Sequence, residues 1–423
     1  MINVVSEVGR LRSVIVHPPG PAMERMLPEH IDPSSPSYLL FDDLVDVRAA
    51  ADEHQQLCDV LETVAEVIPF QSLLAQTLKD TRRRTALIKD VGQQEGLTAS
   101  HLEVLQGLGT EDLAATMVVG TVGGLLSGES LFDPAPNLIF TRDLAAVVGP
   151  TVVVGNANKH ARRRETVLAW SVFEGHHRFS EAGIARSSTR VHEAGGSAPL
   201  TLEGGDVLVV SDALALIGAS ERTSWAMIIR LASELLGCGL EKVLVVEMPK
   251  QRSSMHLDTV FTFTDRNVGV VYPPLLEPGG SEEAKVLSLH RENGRTVVDD
   301  LDLNLVDALA DAGHPLDVVL CGGGHPIHAR REQWTDGANY VALGPGLVVG
   351  YARNHRTAIA MSEAGFEILS PSGYLAILES DFAGDVDALL ASDRRIAVHL
   401  VGSELSRGRG GPRCLTCPIW RDA

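Results

Sequence analysis

Cys414 stands in the run RGRGGPRCLTCPI, close to the C-terminal end of the chain. Glycines there let backbone approach a ligand closely and can aim successive N–H groups at it, while Arg409 and Arg413 favour a thiolate over a thiol. That chemistry is an activated nucleophile. The same cysteine also reads as a small buried thiol, or as half of a CxxC redox pair with Cys417. No second CxxC is present to complete a zinc site.

A thiolate needs a proton donor and acceptor, and His256-Leu257-Asp258 offers one at the head of an expected strand, where residues two apart share a face. A core-bonded histidine and a turn-capping aspartate fit that tripeptide equally well. Two further carboxylates stand in unusual settings. Glu203 heads EGGD, whose paired glycines mark close backbone approach, and Asp143 ends PNLIFTRD after an expected apolar strand. Asp206 reads as a structural turn residue. Asp143, Glu203 and Asp258 beside one Cys and one His suit a delocalised cation, because carboxylates accept paired hydrogen bonds from a planar guanidinium. That holds only if they are neighbours.

The elements that must position these groups are short β-branched runs ending at turn residues: SVIVHPPG, LAAVVGPTVVVGN, DVLVVSDALALIGA, VFTFTDRNVGVVYPP, YVALGPGLVVGY and RIAVHLVG. They read as strand pairs. Between about residues 44 and 122 the apolar spacing turns to three and four, which predicts a helical insertion. A weak repeat of two strands, a helix and a further strand runs from Leu144 through Arg164 to Trp170, from Val207 through Trp225 to VLVVEMP, and from Tyr340 through Arg356 to FEILSPS. Units that cannot bury both faces alone should close into a ring with one central mouth. An ordinary α+β sandwich is the alternative.

Composition limits the partners. The chain has 423 residues, 44% hydrophobic and 22% charged, enough to bury a large core. Acidic residues exceed basic ones, 55 against 36, for a net charge of −19, which disfavours nucleic acid and anionic membranes. A single RGRGG run in an acidic chain is weak support for RNA binding. Five sparse cysteines are unlike a disulfide framework and predict a reducing, cytoplasmic setting. Neither a signal segment nor a membrane span is predicted.

Taken together and in order, PNLIFTRD, ARRRET, EGGDVLV, MHLDTVF and RGRGGPRCLTCPI, with SEVGRLRSVIVHPPG and LLFDD before them, closely resemble the arginine deiminase family of the guanidino-group-modifying superfamily. The resemblance covers nearly the whole chain. It implies an α/β fold, a five-bladed pseudo-symmetric propeller of ββαβ units over residues 1–423 that a helical domain at about 44–122 interrupts. It implies a hydrolase of linear amidines that converts L-arginine to L-citrulline and ammonia through a covalent Cys thiouronium, the first step of the arginine deiminase catabolic pathway. In this reading Cys414 attacks the guanidinium carbon, His256 shuttles protons, Asp143 and Asp258 grip the guanidinium, and Glu203 supports His256. Asn137, Arg162 and Arg222 match carboxylate contacts, the carbonyls of Leu40 and Gly408 match ammonium contacts, and Arg409 and Phe140 line the pocket. No metal or organic cofactor is implied, and a homo-oligomer is. The carboxylates should raise the Cys414 pKa until the cationic substrate arrives. An agmatine or methylarginine deiminase, a non-catalytic guanidine-binding protein and a thiol–disulfide oxidoreductase are the alternatives, and Arg162 and Arg222 speak against agmatine.

Overall fold

A computed structural model describes residues 1–123, 130–186, 200–277 and 279–423. The valine-rich runs form strands buried on both sides, as in Ala145–Val148, Thr151–Val154 and Leu214–Ala219. Continuous apolar runs of this kind suit a strand covered on both faces. Among the described residues the strands make five small sheets, each built on an antiparallel pair that a parallel strand extends.

Ala145–Val148 and Thr151–Val154 are joined by Gly183–Ile184, and Val207–Val209 and Leu214–Ala219 by Lys242–Glu247. That second sheet continues through Lys285–Glu292 to Arg295–Asp300. Phe261–Asp265 and Val268–Val271 take Asp317–Leu320 as their parallel strand, and Val341–Gly344 and Leu347–Tyr351 take Arg395–Leu400. In this fourth sheet the chain order is the expected strand, strand, helix, strand, with a further parallel strand placed inside the last one. Phe366–Leu369 follows the helix in the chain and lies outside Arg395–Leu400 in the sheet.

The fifth sheet joins the two ends of the chain. Cys417–Arg421 pairs with Leu11–Val16, which takes Glu66–Pro69 in parallel. Its helix is Val47–Glu62, so the first part of the 44–122 stretch serves this sheet. The helices Phe70–Thr77, Thr81–Gln94, Ala99–Gly107 and Thr110–Val119 follow. Asp80 and Thr98 cap two of them, accepting the free N–H groups of their first turns, and Gly120, at φ 83°, ends the last in the left-handed region. Leu74, Leu87, Val91 and Met117 are buried from these helices in one apolar cluster with Leu168, Val172 and Phe173 of the helix Arg163–Gly175. No helix of the described residues is long and apolar enough to cross a membrane.

Candidate active site

Each sheet's first strand is entered through a tight turn, and these turns deliver the polar groups. Asp143 lies in the 3-10 turn Thr141–Leu144, Asp206 in Gly204–Asp206 and Asp258 in Leu257–Thr259. Asn339 precedes Val341–Gly344, and Cys414 precedes Cys417–Arg421. The expected strand at PNLIF is a 3-10 turn, Pro136–Ile139, and His256-Leu257-Asp258 enters another rather than heading a strand. Two-residue alternation therefore does not relate His256 to Asp258. The turn relates them instead: His256 is its N-cap and Asp258 lies in its first turn.

Cys414 is buried, and its Sγ lies 3.8 Å from Asp258 Oδ2, in hydrogen-bond contact as a thiol. Burial pushes the thiol well above its ordinary pKa, and Asp258, Asp143 and Asp336 push it further. The sequence expectation that Arg409 and Arg413 would favour a thiolate does not hold. Arg413 spends its charge on Glu7, at 3.0 Å, and on Asp258, at 2.8 Å, while Arg409 stacks on Trp334 with its guanidinium carbon 3.6 Å from the ring centre.

His256 Nε2 meets Glu203 Oε2 at 2.8 Å, and Nδ1 lies 3.7 Å from Asp143 Oδ1. Burial alone would depress this imidazole, but Asp143, the Glu203 hydrogen bond and Asp206 outweigh it and push the pKa up to about 9. Burial alone would likewise raise the Glu203 carboxyl, yet Arg222, Arg162 and His256 hold it well below the usual carboxylate range. The EGGD glycines have separate reasons. A Cβ at Gly204 would stand 2.1 Å from the Arg142 carbonyl, and one at Gly205 would stand 2.8 Å from His256 Nδ1. Asp206 accepts from Ser220, Thr223 and the Leu257 amide at 2.6, 2.6 and 2.9 Å, a structural anchor as expected.

These groups border one pocket that Leu40, Asn137, Phe140, Asp143, Arg162, Arg222, His256, Gly408, Arg409 and Cys414 all line. Glu203 and Asp258 stand directly behind it. Of the three consecutive arginines only Arg162 lines this pocket: its Nη1 meets Asp143 at 2.5 Å and Glu203 at 3.2 Å, and its Nε meets Glu165 at 2.9 Å. Arg164 turns toward the helices, to Glu95 and the Met117 carbonyl. Arg222 contacts Glu203 at 3.5 Å, and its Nε is buried without a partner among the described residues. Leu40 and Arg409 both hold left-handed backbone, each at φ 68°, strain that needs support from surrounding structure. The Leu40 carbonyl accepts from Arg252.

The sequence reading passed over Arg252, Met255 and Thr259, which also line the pocket, and Asn339, which stands behind Cys414. Met255 and Thr259 flank the motif already singled out, so proximity to His256 was their available signal. Donor atoms of Asp143, Glu203 and His256 lie within 4.8 Å of one another, a possible three-ligand set for a cation. Arg162 already engages two of the three.

This architecture is shared with solved enzymes. SxtG from Microseira wollei, an amidinotransferase of the saxitoxin biosynthetic pathway, matches with a TM-score of 0.57 at 13% identity, over 100% of this chain and 98% of its own. The product-bound N-terminal domain of ArgZ, an arginine dihydrolase from the cyanobacterial ornithine–ammonia cycle, matches with a TM-score of 0.52 at 12% identity, over 97% and 98%. A variant of that domain covalently bonded to a reaction intermediate gives 0.51 at 12%, again over 97% and 98%. The fold is thus the mixed α/β fold of small sheets seen in these amidinotransferase and dihydrolase structures.

Sequence narrows the class. The family model described as arginine deiminase matches residues 122–421. The arginine deiminases of Listeria innocua and Oenococcus oeni are each 32% identical, the first over 99% of this chain and 98% of its own, the second over 100% and 97%. This chain belongs to the arginine deiminase family.

Proposed function

We propose that the chain hydrolyses free L-arginine to L-citrulline and ammonia, as the first step of arginine breakdown, through a covalent intermediate on Cys414. The observation that carries this reading is a pair of buried carboxylate oxygens, Asp143 Oδ1 and Asp258 Oδ1, which have no hydrogen-bond partner among the described residues. A buried acceptor left unpaired is costly, and a planar guanidinium with N–H groups on two edges would satisfy both.

The chemistry then follows. Arrival of the cation offsets the carboxylates around Cys414 and lets the thiol lose its proton to solvent. The thiolate attacks the guanidinium carbon to give a neutral tetrahedral adduct, and the fixed carboxylates orient its N–H groups and stabilise the cationic states on either side of it. His256, cationic at neutral pH, gives a proton to a terminal nitrogen, and the C–N bond breaks to release ammonia. Now neutral, His256 takes a proton from water; the hydroxide attacks the S-alkylthiouronium, and the C–S bond breaks to return the thiol and citrulline. Glu203 holds the imidazole at the reacting end. The covalent intermediate solved on the ArgZ domain fits this sequence of steps.

At the other end of the substrate, Arg222 with its free Nε, Arg162 and Asn137 would receive the α-carboxylate, and the Leu40 and Gly408 carbonyls the ammonium. Phe140 and Arg409 would flank the aliphatic stem. We also read the five sheets, each with the same three-strand core, as the blades of a pseudo-symmetric propeller, with the helices from Phe70 to Val119 as its insertion. The cysteines are all unpaired thiols, as suits a cytoplasmic setting.

The test is direct. Purified protein is incubated with L-arginine, agmatine and dimethylarginine, with and without Cys414→Ala, and ureido product is measured. Turnover of L-arginine that the substitution abolishes is expected. No turnover of L-arginine refutes the activity, and citrulline formed by Cys414→Ala refutes the covalent mechanism.

A further inference from the structure

Asn339 occupies, in the fourth sheet, the turn position that Asp143, Asp206, Asp258 and Cys414 occupy in the others, and it is fully buried. Its side chain faces two of them. The Oδ1 accepts the backbone N–H of Arg413 at 3.0 Å and of Cys414 at 3.1 Å, and Nδ2 donates to the Asp258 carbonyl at 2.8 Å. An amide is the side chain that fits both demands, because it carries an acceptor with two lone pairs and a donor on one planar group. A carboxylate would lack the donor.

The glycine run in front of Cys414 is shaped to this contact. A Cβ at Gly411 would stand 2.5 Å from Asn339 Oδ1 and 2.6 Å from its Cβ. The loop can close on the amide only where it carries no side chain. Cys414 and Asp258 come from different sheets and touch through a single 3.8 Å contact, so their spacing depends on whatever ties the two turns together. Arg413 ties their side-chain level, through Asp258 Oδ2, and Asn339 ties their backbones.

The geometry points to Asn339 as a positioning residue: its amide clamps the Cys414 turn to the Asp258 turn and so sets the distance and direction between thiol and carboxylate. This rests on Cys414 being the nucleophile. Asn339 touches no substrate in this arrangement, so its loss should lower kcat while leaving the KM for L-arginine nearly unchanged. Misplacing a nucleophile by about 1 Å costs on the order of 10²-fold.

The experiment compares wild type with Asn339→Asp, Asn339→Ser and Gly411→Ala, each checked for fold by circular dichroism and thermal melting. Two quantities are read: the kcat and KM for L-arginine, and the pH profile of Cys414 alkylation by iodoacetamide without substrate. The expected result is a kcat lowered at least tenfold with KM within about threefold, and an alkylation profile displaced to higher pH in Asn339→Asp, whose added charge opposes the thiolate. A residue that serves only stability would lower the melting temperature and move neither quantity. Should Asn339→Asp give no folded protein, the serine variant and Gly411→Ala decide by the same kcat and KM criterion. Folded variants with wild-type kcat and alkylation profile overturn the proposal. If the wild type fails to turn over L-arginine, the proposed function fails, while the alkylation profile still tests the clamp.

Discussion

Asp258→Asn should make Cys414 more reactive and the enzyme far less active. The carboxylate oxygen lies 3.8 Å from the thiol sulfur, and both groups are buried. At an effective permittivity of about 20, unit charges at that separation interact by about 4 kcal/mol. Replacing the carboxylate with its neutral amide removes that repulsion, and Arg413, with half its compensation gone, then favours the thiolate as well. Both effects have the same sign. At pH 7 the rate of alkylation by iodoacetamide, a neutral reagent, should therefore rise by roughly 10² to 10³-fold, since each unit of pKa is tenfold in thiolate below it. The fold should survive, because Arg413 keeps its paired contacts to Glu7 and its bond to the Val207 carbonyl. With Asp258 gripping the guanidinium as proposed, turnover should fall by at least about 10²-fold. The assay follows loss of free Cys414 by mass spectrometry of the peptide around it, alongside citrulline release. A folded variant whose Cys414 reacts no faster than in wild type would show that Asp258 does not govern the thiol.

Other consequences follow from neighbouring contacts. The imidazole of His256 titrates near pH 6.5 in an unfolded chain and at about 9 here, so its contribution to stability is fully present below pH 6.5 and is lost as pH rises through 9. The shift corresponds to about 3 kcal/mol, and urea unfolding at pH 6 and pH 9.5 should show that loss in wild type and not in His256→Asn; Glu203, whose carboxyl is depressed, acts only at acid pH. Gly205→Ala should lower kcat by about 10²-fold or more, because its Cβ would press 2.8 Å from His256 Nδ1 and 3.1 Å from Asp143 Oδ1; wild-type turnover in this variant would mean that His256 can move without consequence. Cys417→Ser should remain active, since the Cys417 thiol donates to the Ala145 carbonyl at 3.3 Å and serine can do the same. Abolished turnover there, in a folded protein, would restore the redox reading of CxxC.

Four strand pairs were legible because each run is cut by a turn signal, such as the Gly149-Pro150 bend between Ala145–Val148 and Thr151–Val154, whereas SVIVHPPG and RIAVHLVG, expected as pairs too, hold the single strands Leu11–Val16 and Arg395–Leu400. The fifth sheet was not legible, because its antiparallel pair joins Leu11 to Arg421, and no local pattern links residues from opposite ends of a chain. Cys414, His256, Asp143, Glu203 and Asp258 stood out by type and company, while the remaining pocket residues came with the family resemblance; the structure brings them together in or directly behind one pocket, yet their electrostatics could not be read. Arg413 looked like a cation beside Cys414, whereas its partners are Glu7, at the far end of the sequence, and Asp258. Asn339 sits in GANY, which looks like any turn, and its meaning appears only when the turn is set against Cys414. His256 and Asp258 were related by strand alternation, a period the 3-10 turn does not obey.

The arrangement of charge explains why a guanidinium, rather than any cation, should complete this site. Glu165, Arg162, Asp143 and Glu203 form one buried chain of contacts, which Arg222 and His256 join through Glu203, and Glu7, Arg413 and Asp258 form another. Each chain includes one carboxylate near Cys414, Asp143 or Asp258, whose Oδ1 accepts no hydrogen bond among the described residues. An ammonium could approach both chains as a point charge, but its donors radiate from a single atom. A guanidinium places donors on separate edges of a plane, with its electrophilic carbon between them. The ligand that satisfies both orphaned oxygens thus presents that carbon between the two carboxylates that border the thiol, and its positive charge relieves the repulsion that keeps the thiol protonated. On the proposed mechanism recognition and activation of Cys414 would be the same event, and a neutral analogue that fills the pocket should leave Cys414 as unreactive as in the free protein.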